Sequence, residues 1–478
     1  MNIVNHFFEA AKQHPLATAM VEKQRVLSFS DMQKQVEQTA FSLSKKGIKP
    51  NQNIQVMMPV GIDLYVHILA IFQIGARVVL VDQIFPKKGV LYAFKKAECT
   101  AIVTNHFLSV FRLFFFSSGL FGNVFSIKKN PERLKQISQK TRDDEALITF
   151  TSGSTGNAKA ANRTHGFLDI QLQTIIQKTG LSPGDCHLTS FPVVTMCNLA
   201  VGATSVMFAK RLNLKDRQLI KNHFCPNIVS ASVEYFNQFS AIIDHSKLKK
   251  LVVGGSTLLP HLVAKCTAKF DPKKTELVYG STEAEPIATL TAAEYFDIYS
   301  TEEKGIPVGV KHPNIEVKII QPNTDKVIEC SESYIGEIIV SGNHVLKTYY
   351  KDENAYRENK MEWQQTIWHR TGDAGYIKHG ILYFFGRMKW CWQENGEWFS
   401  PVTCEKFCSE NNLALEATWL RIENENMLFY SGKKAAKNDL LQSFPHTVSK
   451  IISLKKLPKD KRHASRIDYE KLIGLGLK

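Results

Sequence analysis

Short, continuous runs of Val, Ile and Leu recur through the first two-thirds of the chain: 54–58, 78–81, 101–104, 146–150, 228–230, 251–253 and 277–279. Longer segments of helical period separate them. Parallel strands buried on both faces read this way, because neither side of such a strand meets water. The pattern predicts an α/β body with helices on both faces of its sheets. After about Pro307 the texture changes to β-rich pieces at 317–320, 337–340 and 381–385, which predict an appended β subdomain. Past Gly386-Arg387-Met388-Lys389 a short Lys-rich segment predicts a small α+β lid. The expected division is a large N-terminal domain over 1–386, of mostly parallel sheets flanked by helices plus the β subdomain, and a small mobile C-terminal domain over 387–478.

The segment from Phe107 to Phe125 is apolar and aromatic, but Arg112, serines and glycines interrupt it, so a membrane span is not expected. It reads as a buried or partly exposed helix. The alternative is a peripheral membrane or acyl-chain contact.

With 478 residues the chain is too long for one core. Its net charge of +15 favours anionic partners such as nucleotides, acyl phosphates or a lipid headgroup surface. No nucleic-acid-binding signature accompanies that charge, and the lysines are scattered, so no nucleic-acid partner is expected. Nine cysteines form no CxxC pair and fit reduced thiols in a cytoplasm. The N-terminal residues lack the charged and apolar regions of an export signal, so a cytoplasmic location, with the membrane-peripheral alternative, is expected.

The most informative stretch is Leu147-Ile148-Thr149-Phe150-Thr151-Ser152-Gly153-Ser154-Thr155-Gly156-Asn157-Ala158-Lys159. An apolar strand runs into a loop of hydroxyls and glycines closed by one lysine. Gly153 and Gly156 allow close backbone approach to an anion, Thr151, Ser152, Ser154 and Thr155 add neutral donors, and Lys159 adds a mobile positive charge. Such a cradle suits a triphosphate. Ala160 follows the lysine where a P-loop has the Ser or Thr that holds Mg²⁺, so the metal needs another ligand.

Four further motifs follow. Gly254-Gly255-Ser256 ends a strand and offers a side-chain-free wall to a flat ring. Tyr279-Gly280-Ser281-Thr282-Glu283 supplies an aromatic face, hydroxyls and a carboxylate hard enough for Mg²⁺. Thr371-Gly372-Asp373 reads as a tight turn whose carboxylate can accept both ribose hydroxyls, and Gly386-Arg387 places a guanidinium suited to ribose or α-phosphate oxygens. Singly, each motif fits an ordinary capped turn or surface charge equally well.

All five in this order resemble the adenylate-forming superfamily of acyl-CoA synthetases, peptide-synthetase adenylation domains and luciferases, over nearly the whole chain. The resemblance implies that Thr151 to Lys159 binds the β- and γ-phosphates of ATP. It also implies that Tyr279 stacks on adenine, Thr282 and Glu283 contact α-phosphate and Mg²⁺, Asp373 holds the ribose, and a hinge lies near Arg387 to Lys389. Finer phrases look like the olefin-pathway β-lactone synthetases: Ser190-Phe191-Pro192 leading to Asn198-Leu199-Ala200-Val201-Gly202, Ala284-Glu285-Pro286-Ile287-Ala288, Trp368-His369-Arg370-Thr371-Gly372-Asp373 and Arg462-His463-Ala464-Ser465-Arg466-Ile467.

Three departures stand out. Arg466 falls where the family has its second-domain lysine, replacing a compact ammonium with a planar fork. The plainer alternative is that Arg466 is a solvated helix residue, with Lys459 and Lys461 as substitutes. Asn157 and Ala160 replace the usual proline and glycine, and the segment from Trp390 to Pro401 lacks the glycine-rich loop of a thiolation face. The expected activity is ATP-dependent activation of a fatty or 3-hydroxy-fatty carboxylate as its adenylate, with pyrophosphate release and then β-lactone closure. Catalysis falls to Lys159, Glu283, Arg387 and Arg466. The alternatives are ligation to CoA or an acyl carrier, and an adenylate-binding protein without turnover.

Overall fold

The computed structural model describes residues 1–81, 87–104, 124–126, 130–152, 158–189, 191–207, 214–328, 334–411, 413, 415–432, 434–444, 446–459 and 466–476. They form two compact units. The first comprises Met1–Ser230, Ile242–Lys249 and Asn343–Glu358, and the second Ala231–Ala241, Lys250–Gly342 and Asn359–Lys478.

In the first unit the strands Glu145–Ser152, Arg77–Val81, Asn53–Met57, Ala101–Thr104 and Val124–Ser126 run parallel, in that order across the sheet. Ile54, Val78, Ile102 and Ile148 are fully buried, which is why these strands carry no polar alternation. Ala158–Thr164 and then Thr348–Tyr349 extend the sheet antiparallel at one edge. A second sheet of this unit places Ile228–Ala231, Cys186–Thr189, Thr204–Met207 and Thr18–Glu22 in parallel, with Arg25–Ser28 antiparallel at the edge.

The helices of this unit follow local chemistry. Phe29–Lys45 starts where the Ser28 hydroxyl accepts the Asp31 N–H at 3.1 Å, and it buries Phe29, Met32, Val36, Ala40 and Leu43. Ile62–Ile74 is apolar almost all round, buried accordingly, and ends at Gly75 with φ +82°.

Of the Phe-rich segment, residues 107–123 lie outside those described. Its end, Val124–Ser126, is an edge strand on Ala101–Thr104, not the helix expected, because its backbone is taken up by that ladder. Among the described residues no helix is long and apolar enough to cross a membrane. The eight described cysteines are free thiols.

The second unit begins with Lys250–Gly254 and Thr275–Ser281 in parallel, then continues antiparallel through Ala284–Thr291, Ile306–Lys311, Ile381–Arg387, Thr366–Lys378, Gly336–Gly342 and Ile315–Ile320. This antiparallel run is the β-rich region expected after Pro307. Past Arg387 the chain builds a smaller sheet of Leu415–Ile422, Glu425–Gly432 and Lys450–Ser453, with the helices Pro401–Glu410, Lys434–Ser443 and Tyr469–Gly476. Trp419, Leu428, Phe429 and Leu440 fill its interior.

Candidate active site

The strand Glu145–Ser152 turns back on itself as Ala158–Thr164. The register pairs Thr151 with Lys159 and Ser152 with Ala158, which closes the hydroxyl-and-glycine loop at its base. The loop itself, Gly153 to Asn157 and so including Ser154, Thr155 and Gly156, lies outside the described residues. Lys159 departs from expectation. It is not a mobile cation but sits on the strand, buried to 8 % exposure, with its Nζ 3.4 Å from Glu358 Oε2. Strand pairing fixes its backbone, and the carboxylate offsets part of the cost of burying the charge.

Glu358 escaped the sequence reading. It is about half exposed, so its grip on Lys159 is weak and open to displacement by a competing anion. Glu358→Gln should therefore lower the KM for ATP by roughly two- to fivefold, an effect that shrinks as salt rises. Steady-state titration of ATP checks this, and an unchanged KM would show that the pair does not compete with the nucleotide.

In the second unit, Tyr279, Asp373 and Arg387 come together. Asp373 and Arg387 are register partners on neighbouring strands. Arg387 Nη1 lies 3.0 Å from Asp373 Oδ1 and donates to the Thr371 carbonyl at 3.2 Å. The Tyr279 hydroxyl donates to Asp373 Oδ2 at 2.7 Å. Burial first, and then the neighbouring Asp373 carboxylate, push the Tyr279 phenol well above its ordinary range, so it stays a neutral donor. Its ring lies 6.1 Å from that of Phe384.

The Thr371-Gly372-Asp373 phrase is not a tight turn between elements. It is a bulge inside the long strand Thr366–Lys378, where the ladder to Gly336–Gly342 loses register. Gly372 takes φ +69°, the Thr371 hydroxyl donates to Ile338 O at 2.8 Å, and the Asp373 N–H donates to Thr371 Oγ1 at 3.1 Å. The bulge re-aims Asp373 so that one carboxylate oxygen is fixed by Tyr279. The other, Oδ1, is buried beside Arg387 without a hydrogen bond. Paired with Arg387 at 3.0 Å but without an aligned hydrogen bond, that oxygen keeps a lone pair that a ribose hydroxyl would satisfy.

Gly280 allows the sharp turn that presents Glu283: a Cβ there would lie 2.9 Å from the Ala284 carbonyl oxygen. The Glu283 N–H donates to Ser281 Oγ at 3.2 Å, which holds the turn, while Thr282 is exposed and Glu283 half-buried. The sequence reading missed Lys360, which is 5 % exposed on the strand Lys360–Trp363. Burial pulls its ammonium down to about 7, and the Glu283 carboxylate opposes that drop.

Among the described residues no three His, Cys, Asp or Glu side chains gather into a metal cage. The Glu283 carboxylate is of the kind that suits Mg²⁺, which dehydrates reluctantly and is commonly held by one or two carboxylates together with substrate phosphates and water.

The Gly254-Gly255-Ser256 wall has a partly different cause from the one expected. A Cβ on Gly254 would lie 3.1 Å from the Val278 carbonyl, so this glycine serves the neighbouring strand. Gly255 takes φ +77°, and the buried Ser256 Oγ has no hydrogen-bond partner. Arg466 is half-buried and precedes the helix Tyr469–Gly476, so it does not lie on a helix. Lys459 is committed to Glu416 Oε1 at 3.1 Å, and Lys461 lies outside the described residues.

The sequence model of the AMP-binding enzyme family matches residues 7–350. The chain belongs to that family. It is an AMP-forming ligase of the adenylate-forming superfamily. A 2-succinylbenzoate–CoA ligase of Bacillus cytotoxicus is 23 % identical over 96 % of the AMP-binding chain and 98 % of its own length. A 4-coumarate–CoA ligase-like protein of Arabidopsis thaliana is 26 % identical over 83 % of the chain and 75 % of its own. Among solved structures, an o-succinylbenzoate coenzyme A synthetase of Bacillus subtilis, in complex with ATP and a magnesium ion, aligns with TM-score 0.80. It shares 19 % identity and covers 96 % of this chain and 97 % of that one. The agreement over both chains supports the fold class of large body and small C-terminal domain.

Proposed function

We propose that this AMP-binding enzyme activates a fatty or 3-hydroxy-fatty carboxylate with ATP and Mg²⁺, releasing pyrophosphate, and then closes the 3-hydroxy acyl adenylate to a β-lactone. The observation that carries the nucleotide half is the buried Asp373 carboxylate held between the Arg387 guanidinium and the Tyr279 hydroxyl. It is a neutral-donor and guanidinium setting shaped for ribose hydroxyls.

The roles follow from charge. A carboxylate approaching the α-phosphate brings two anions together, so cations must offset the repulsion. Lys159, with the backbone and hydroxyls of Thr151, Ser152, Gly153, Ser154, Thr155 and Gly156, binds the leaving pyrophosphate. Glu283 is the protein ligand for Mg²⁺, which when bound neutralises phosphate charge. Ser281 and Thr282 line the α-phosphate, and Gly254, Gly255 and Ser256 border the adenine on which Tyr279 stacks. Arg387 steadies ribose or α-phosphate oxygens, and Arg466 bridges the carboxylate and the α-phosphate from the lid, residues 387–478. An internal 3-hydroxyl then attacks the activated carbonyl with the entropic advantage of an intramolecular nucleophile.

Asp373→Ala should raise the KM for ATP about tenfold and erase most of the preference for ATP over 2′-deoxy-ATP and 3′-deoxy-ATP. Parallel KM measurements with the three nucleotides check this, and discrimination retained in the variant would remove Asp373 from the ribose.

A second reading, ligation of the acyl group to CoA or an acyl carrier, is favoured by the CoA-ligase names of the relatives. Against it stands the absence of a glycine-rich thiolation loop between Trp390 and Pro401. Product mass separates the two. Incubation of 3-hydroxy-fatty acids with ATP, with and without CoA, should give loss of water independent of CoA; a CoA thioester as the sole product would overturn lactone closure.

A further inference from the structure

Arg466 stands at the end of a pinched segment of chain. Lys459 and Ile467 form an isolated antiparallel bridge, and the Asp468 N–H donates to the Pro458 carbonyl at 2.9 Å, so the chain is drawn together at these two points. Two side chains fasten the pinch to the sheet and helix of the C-terminal segment. Lys459 pairs with Glu416, and the Tyr469 hydroxyl donates to Glu405 Oε1 at 2.6 Å. The same carboxylate oxygen accepts the Thr418 hydroxyl at 3.1 Å. Trp390 meets the Tyr469 ring edge-on at 6.1 Å, and Lys389 Nζ lies 2.5 Å from Glu470 Oε1, so the residues just after Arg387 lean on the same point.

Glu405 is an unusual anchor. Burial pushes its carboxyl up to about 7, and the Tyr469 and Thr418 hydroxyls pull it back. An apolar pair would fill this place at lower desolvation cost, whereas a directional bond from Tyr469 fixes position as well as packing.

Tyr469 follows Arg466 by three residues, a span of at most roughly 10 Å of extended chain. We propose that Tyr469, held by Glu405, is a positioning residue that sets where Arg466 is presented to the reacting oxygens. The proposal rests on the reading of Arg466 as the cation of adenylation. Misplacement of a reacting group by about 1 Å can cost about a hundredfold, so loss of one hydroxyl should be visible in the first half-reaction alone.

The test uses the full chain and the acid that gives the fastest wild-type exchange among fatty, 3-hydroxy-fatty and aryl acids. ATP–pyrophosphate exchange, consumption of supplied acyl adenylate and Tm are measured for wild type, Tyr469→Phe, Glu405→Gln, Glu405→Leu and Arg466→Ala. Tyr469→Phe and Glu405→Leu should each lower the exchange kcat about tenfold, with the KM for ATP within twofold and adenylate consumption unchanged. Glu405→Gln, which keeps an acceptor, should recover most of the rate. Wild-type exchange in Arg466→Ala, or no exchange by wild type with any acid, removes the underlying reading and the proposal with it. Loss in Arg466→Ala with none in Tyr469→Phe overturns the positioning role alone. A Tyr469→Phe variant that loses both half-reactions equally while its Tm falls is a structural anchor, which also overturns it.

Discussion

Glu283→Gln is expected to lower Mg²⁺-dependent turnover by roughly a hundredfold or more while leaving the Kd of a non-hydrolysable ATP analogue within about threefold. The substitution removes one negative charge and one hard oxygen ligand but keeps the shape of the turn. That turn is built by backbone features the glutamine does not touch: the close approach at Gly280 and the bond from the residue 283 N–H to Ser281 Oγ. Nucleotide affinity drawn from the phosphate loop and from Asp373 should survive. The neighbouring Lys360 does not offset the change, because its buried amine would lose the carboxylate that favours its charged form and so carry less charge. Turnover and analogue affinity are measured on one preparation across a Mg²⁺ titration. Equal loss of both, or of neither, removes Glu283 from the metal.

Arg466→Ala is expected to abolish adenylation, by about a hundredfold or more in exchange rate, while consumption of supplied adenylate continues. The expectation follows from a requirement of the chemistry. Two anions must meet at the α-phosphate, and Arg466 is the residue that aligns with the family's second-domain lysine, while the substitute Lys459 is paired with Glu416. Guanidinium has a forked geometry that can hold two oxygens at once. Arg466→Lys should then recover part of the rate, since charge is restored without the fork. Exchange at the wild-type rate in Arg466→Ala would return this residue to the surface.

Much of the fold was legible because buried parallel strands leave a continuous apolar signature. The runs at 54–58, 78–81, 101–104 and 146–150 all became strands of one sheet, with ends shifted by a residue or two. The end of the Phe-rich segment was misread because the short apolar pair Val124-Phe125 suits a helix and an edge strand alike. The Thr371-Gly372-Asp373 bulge was read as a turn for a related reason. Gly at positive φ looks the same in sequence whether the chain reverses or merely slips its ladder.

The candidate site was legible where residue type alone restricts the chemistry, as with the Asp373 carboxylate and the Arg387 guanidinium. It was not legible where tertiary pairing decides. Lysines are seldom buried, so nothing in Glu358-Asn359-Lys360-Met361 announces that Glu358 would hold Lys159 or that Lys360 would be inside. Likewise, the hydroxyl of Tyr279 was overlooked in favour of its ring, and only the tertiary fold brings it to Asp373.

The most direct measurement is equilibrium exchange of labelled pyrophosphate into ATP by the full chain, with a panel of fatty, 3-hydroxy-fatty and aryl carboxylic acids. Exchange that requires both an acid and Mg²⁺ is the expected result. A protein that binds ATP yet exchanges no pyrophosphate with any acid on the panel contradicts activation of a carboxylate by this site.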